Sequence, residues 1–199
     1  MTASAIDLAA RVGSRICHDL VNPLGAVGNG LELLSTAGLE AGPELALVSD
    51  SVTRANARIK LLRIAFGQAH AEQRIARAEA QNPLSELFRS GRTQVLLDCP
   101  AFVARREMRM ALLGLLCLET AIPFGGSIVL WSDGTDWRAT ARSDEFRIRP
   151  ETWNVLSDKV PDMSLPPAQI HFAMLRCAAE DAGRSLRHVA TDREVELAF

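Results

Sequence analysis

The chain has 199 residues, 48% of them hydrophobic, and a formal net charge of -2. That length suits one medium domain or two small ones with a real apolar core. The near-neutral balance gives no field to gather nucleic acid or an anionic membrane surface. Residues 1–10 carry Asp7 and lack a basic stretch followed by an apolar run, so they do not read as a signal peptide. No segment approaches the roughly 18 apolar residues of a membrane span. Cys17, Cys99, Cys117 and Cys177 are scattered without a Cys-x-x-Cys pair. This argues against a zinc site or a disulfide framework and for reduced thiols in a cytoplasm.

Residues 5–37 read as one long helix. Ile16, Leu20, Leu24, Val27, Leu31 and Leu34 step by three and four, a heptad-like seam. Gly38 is the expected stop, and Gly42-Pro43 opens the next element. Residues 43–69 repeat the theme through Leu45, Val48, Val52, Ala55, Ile59, Leu62 and Phe66. Two such helices joined by a short turn form an antiparallel hairpin. One hairpin cannot bury both seams, whereas two hairpins can, as a four-helix bundle; the pattern therefore predicts a homodimer.

A mixed, charged helix follows near 71–90, with the junction between two regions near 69–75. Residues 93–99 read as a strand closed by Pro100. Residues 104–120 form an apolar helix whose Met108, Ala111, Leu112, Leu115, Leu116 and Leu118 make a broad buried face. Pro123-Phe-Gly-Gly126 is a turn. Residues 127–132 and 137–142 form a hairpin around Asp133-Gly134. A short helix follows Pro150. Pro166-Pro167 opens another helix to about Asp181, capped by Gly183. Residues 185–189 and 194–199 close the chain as strands. The class is α+β: a helical hairpin over residues 1–72, then an α/β sandwich with an antiparallel sheet over 73–199.

His18-Asp19-Leu20-Val21-Asn22-Pro23 carries the chemistry. At about 100 degrees per residue, His18 is displaced from the apolar seam toward solvent. A neutral imidazole is a good nucleophile at neutral pH, its unperturbed pKa being near ~6.5. Asp19 can orient the ring or take its proton. Asn22, at i+4, faces the same patch. A lone helical histidine is more often idle; the Asp-x-x-Asn-Pro that follows is what singles this one out. Pro23 removes a hydrogen bond and kinks the helix, a cost beside a histidine that points to function. Arg11 and Arg15 lie seven and three residues earlier, and either bring positive charge to arriving phosphate or form a solvated face. His171, beside Phe172 early in its helix, reads as a surface or capping residue. His70 and His188 have no acidic partner nearby in sequence.

Residues 15–27, Arg-Ile-Cys-His-Asp-Leu-Val-Asn-Pro-Leu-Gly-Ala-Val, resemble the H-box of two-component histidine kinases, and the hairpin resembles their dimerisation and phosphotransfer domain. The run from His18 to Leu34 and the segment Arg63-Ile-Ala-Phe-Gly67 are similar to the ChpT-type histidine phosphotransferases of alphaproteobacteria, across essentially the whole chain. The resemblance implies a phosphorelay that shuttles phosphate between aspartates of receiver domains through His18, with Asp19 and Asn22 as its catalytic neighbours. It implies receiver docking along the first helix at Arg11 and Arg15 and on the facing part of the second. Counting equally from the turn near Glu40 places Ile59, Lys60 and Arg63 there. The implied donor is the receiver of a hybrid kinase of the CckA type, and the acceptors are regulators of the CtrA and CpdR type. Magnesium would sit in the receiver's acidic pocket, with no metal or cofactor on this chain.

The second region resembles the ATP-binding domain of histidine kinases in element order, without its chemistry. The helix before Pro123-Phe-Gly-Gly126 has no asparagine; Gly114 or Cys117 stands about where the magnesium-binding amide would lie. Arg142-Ser-Asp-Glu-Phe146 has no glycine where kinases carry Asp-x-Gly-x-Gly. Leu165-Pro-Pro-Ala-Gln-Ile170 cannot offer a row of N–H groups to a triphosphate. A receiver-directed phosphatase with Asn22 positioning water, a divergent histidine kinase and a non-catalytic receiver-binding dimer are the alternatives.

Overall fold

The computed structural model describes residues 5–36, 42–157 and 165–199. Helix α1 spans Ala5–Thr36 and runs unbroken across Pro23. A proline there leaves the carbonyl of Asp19, one turn earlier, without its helical donor. Helix α2 spans Pro43–Phe66, opening with proline in its first turn as the sequence suggests. It stops three residues short of the expected end, where Gly67 turns extended. The two helices are antiparallel: Gly13 faces Phe66, and Gly28 faces Val52. Gly38, the expected stop of α1, lies outside the described residues.

The second region runs β1 (Arg74–Ala76), α3 (Arg77–Phe88), β2 (Thr93–Asp98), β3 (Phe102–Ala104), α4 (Arg105–Ala121), β4 (Gly126–Ser132), β5 (Trp137–Arg142), α5 (Pro150–Trp153), α6 (Ile170–Asp181), β6 (Arg187–Ala190) and β7 (Glu194–Ala198). Two features differ from expectation. The charged helix begins only at Arg77, after β1, which pairs with β3 in a small antiparallel ladder. Three-residue strands are too short to show a period of two. The main sheet is mixed rather than antiparallel: its order is β2-β4-β5-β7-β6, and β2 lies parallel to β4. A parallel pair needs a crossover, and α4 lies in that connection.

The Pro123-Phe-Gly-Gly126 turn depends on its glycines. Gly125 and Gly126 have φ of 109° and 147°. A Cβ on either would strike a carbonyl oxygen, that of Arg92 or of Arg142.

Helix α4 is buried on every side, not along one face. Gly114 packs closely on the sheet, where an added Cβ would lie 3.5 Å from Leu197 and 3.7 Å from Ala139. The other sides of α4 meet α2 and α6. A helix apolar all round is stable only in such a place. The α2 seam also needs correction. Its buried residues are Ala57, Leu61, Ile64 and Ala65, and Leu61, Ile64 and Ala65 belong to the core of the second region. Of the expected seam, Val48 remains 46% exposed, and Leu45, Val52, Ala55, Ile59, Leu62 and Phe66 are half-buried.

Polar contacts fix the same junction. Arg109 Nε donates to the carbonyl of Ala65 at 3.3 Å, and Arg105 Nε to that of Gln68 at 3.1 Å. Cations at the end of α2 offset its exposed carbonyls and dipole. Arg58 of α2 also pairs with Glu119 of α4 at 3.1 Å; burial raises the Glu119 pKa, and Arg58 opposes that rise. Replacing Leu61, fully buried between the two regions, by alanine is expected to cost about 3 kcal/mol (roughly 2–5 for this class) in urea unfolding monitored by circular dichroism.

His171 is not a surface residue: it is buried, with its ring centroid 4.8 Å from that of Phe172. Burial, with help from the Arg58 charge, lowers its pKa to about 4. The unfolded chain, with histidine near ~6.5, therefore binds the proton first as pH falls. The stability held by neutral His171 is full above ~6.5 and is lost progressively down to about pH 4. Thermal unfolding of the wild type should fall across this window, and a His171→Leu variant should show a shallower fall between pH 6.5 and 5.

Candidate functional site

The helical period sorts α1 into two exposed faces. Val12, Ile16, Leu20, Val27 and Leu34 are each 45–53% exposed and fall within an arc of ~80 degrees. His18, Asn22, Gly25 and Asn29 fall within ~60 degrees on the far side of the helix. Leu47 and Val48 near the start of α2 are exposed as well.

On the second face the His18 side chain is 66% exposed. Its Nδ1 lies 3.2 Å from Oδ1 of Asp19. An ionised carboxylate only accepts, so this contact assigns the proton to Nδ1 and leaves Nε2 open to solvent. The other Asp19 oxygen, Oδ2, accepts from Arg15 Nε at 2.9 Å. The hydrogen bond from His18, joined by that from Arg15, holds the Asp19 carboxyl below its ordinary value against slight desolvation. Asn22 is exposed one turn further on, and Arg11 is exposed one turn before Arg15.

The hairpin register sets what α2 brings. Pairing Gly13 with Phe66 and Gly28 with Val52 puts Leu61 and Leu62 level with His18. Arg63 is exposed beside this level, and its charge reaches Cys17, lowering a thiol pKa that burial raises. Lys60, three residues before Arg63, is exposed as well, in a groove of about 310 Å³ between α1, α2 and the middle and C-terminal half of α3. Gly25 and Asn29 of the His18 face line the same groove, with Asn56, Asn82 and Glu86. The structure thus gathers His18, Asp19 and Arg15 on α1 and sets Arg63 and Lys60 of α2 within two residues of the His18 level, Lys60 on the groove side. Sequence reasoning missed Gly25 and Asn29, although the steps of seven from His18 and Asn22 already point to them.

Among the described residues, no group of His, Cys, Asp or Glu could hold a metal ion, and no helix is long and apolar enough to cross a membrane. All four cysteines are buried and unpaired. Cys117 is fully buried inside α4.

The family described as "Histidine phosphotransferase C-terminal domain" matches residues 77–194. The protein phosphotransferase ChpT of Brucella abortus (strain 2308) is 32% identical over 201 residues, covering 98% of this chain and 96% of that protein. The chain belongs to the ChpT-type histidine phosphotransferases. A solved structure described as that of a bacterial phosphotransferase superposes with a TM-score of 0.70 at 30% identity, covering 100% of this chain and 98% of the other. The histidine kinase AdeS of Acinetobacter baumannii gives a TM-score of 0.43 at 11% identity, over 91% of this chain and 95% of that one. As a member of the ChpT-type family the protein is a phosphotransferase of α+β fold.

Proposed function

We propose that the protein relays phosphate between aspartates of receiver domains through His18, without binding ATP. The observation that carries this is the solvent-facing Nε2 of an imidazole whose Nδ1 is held by Asp19. An aspartyl phosphate presented by a docked receiver meets that nitrogen directly, and the reaction then depends on positioning and charge. Magnesium stays in the receiver's acidic pocket. Asn22 serves as a hydrogen-bonding neighbour of the transferring group. Arg11, Lys60 and Arg63 supply positive charge along the docking face; Arg15 lies on the same face with its guanidinium engaged by Asp19. The donor is a hybrid-kinase receiver of the CckA type and the acceptors are of the CtrA and CpdR type.

The reading without ATP chemistry is supported by Gly114 and Cys117, one of which stands about where the resemblance puts a kinase's amide, and by the two prolines before α6. We divide the chain into a phosphotransfer hairpin, residues 1–72, and an ATPase-like scaffold, residues 73–199. Its homodimer is a four-helix bundle closed over the apolar arc of α1, which leaves the His18 face free. A cytoplasmic location follows from partners of this kind.

The test of the relay uses a CtrA-type receiver labelled from acetyl [32P]phosphate, mixed with the protein and magnesium without ATP. Label stable to alkali and labile to acid is expected on the wild type and absent from His18→Ala. No label on either protein, with the receiver stable, would leave a binding dimer; no label with fast loss of receiver phosphate would indicate a phosphatase. For the dimer, Val27→Glu with Leu34→Glu places charge at two half-exposed positions. Light scattering should read a dimer mass for the wild type and a monomer mass for this variant.

A further inference from the structure

On an α-helix, residues i and i+1 point about 100 degrees apart and do not face each other. The contact between His18 and Asp19 is therefore not what the helix alone would give. Arg15 precedes His18 by three residues and Asp19 by four, so it is a surface neighbour of both. Helical side chains lean toward the N-terminus, which brings the ends of His18 and Asp19 over the turn that carries Arg15. There Arg15 Nε holds Asp19 Oδ2 at 2.9 Å, while Oδ1 faces His18 Nδ1 at 3.2 Å.

We propose that Arg15 is a positioning residue that acts through Asp19: it draws the carboxylate sideways against the imidazole and so presents Nε2 to the receiver. This rests on the relay reading of His18. In the transfer step the Nε2 lone pair attacks phosphorus of the aspartyl phosphate. The N–P bond forms, the P–O bond to the receiver's aspartate breaks, and its electron pair leaves with that carboxylate. The proton stays on Nδ1, so the ring becomes cationic opposite Asp19. Arg15 also offsets the charge of Asp19 toward the arriving phosphoryl group, a like-charge contact that would otherwise oppose approach. Arg15 thereby differs from Arg63 and Lys60, whose proposed role is contact with the receiver.

The two roles separate in single-turnover transfer from a phosphorylated CtrA-type receiver, followed against receiver concentration. For Arg15→Ala, the plateau rate should fall roughly fivefold, the scale set by an exposed ion pair, with the half-saturating concentration unchanged. Arg15→Lys should recover part of the rate. In an Asp19→Asn background, Arg15→Ala should cause no further loss. Nitrogen-15 imidazole spectra should show a smaller share of the Nδ1–H tautomer at His18 in Arg15→Ala, with unchanged circular dichroism. A raised half-saturating concentration with the plateau preserved would overturn the inference and make Arg15 a docking residue. So would an undiminished effect in the Asp19→Asn background. Label retained by His18→Ala would instead overturn the relay reading, and this inference with it.

Discussion

Burial of α4 on all sides is the constraint on which the remainder of the structure depends. Its residues from Met108 to Leu118 are apolar except Arg109 and Gly114, and all are buried. A sheet covers one side of such a helix and leaves the others exposed. α6 closes part of the gap and the C-terminal half of α2 closes the rest. The hairpin is therefore held to the second region by core packing, and Arg105 and Arg109 add hydrogen bonds to carbonyls at the end of α2. Neither region has a complete apolar surface of its own. The second region therefore takes a fixed place against α2.

The same arrangement sorts α1 into distinct faces. α2 gives one side to the second region and another to α1. That leaves α1 with two unoccupied faces, one apolar and one carrying His18. Placing both faces on one long helix keeps the proposed dimer contact and the proposed reaction centre from competing for the same side chains. The groove holding Lys60 extends the His18 face toward the far end of the hairpin.

The proposed reactive centre was readable in the sequence because it is local. His18, Asp19, Asn22 and Arg15 lie within two turns of one helix, and spacing alone puts them together. The hairpin, the glycine turn at 125 and 126, and the β4–β5 hairpin were readable for the same reason. What escaped was set by distant packing. The buried face of α2 was misplaced because a three-four apolar pattern says that a helix has partners, not how many. Ile59 and Leu62 satisfy the pattern and are half-buried, while Leu61 and Ala65 lie outside it and are the residues that α4 covers. His171 looked like a surface residue, for a polar ring gives no sign in sequence that Phe172 and neighbouring helices enclose it. The parallel pairing of β2 with β4 depends on where α4 crosses, which no strand pattern records.

The sheet is completed out of chain order. β7 lies between β5 and β6, and Phe199 exchanges two backbone hydrogen bonds with Trp137 and stacks on its ring at 6.5 Å. During synthesis the hairpin is complete once residue 66 has emerged, but the floor beneath α4 is still missing a strand until residues 194–198 arrive. From the completion of α2 until α4 has been made, the nascent chain presents the Leu61 and Ala65 side of α2 to water. It is in that interval, rather than in the finished fold, that the protein is most exposed to misassembly with another copy of its own hairpin.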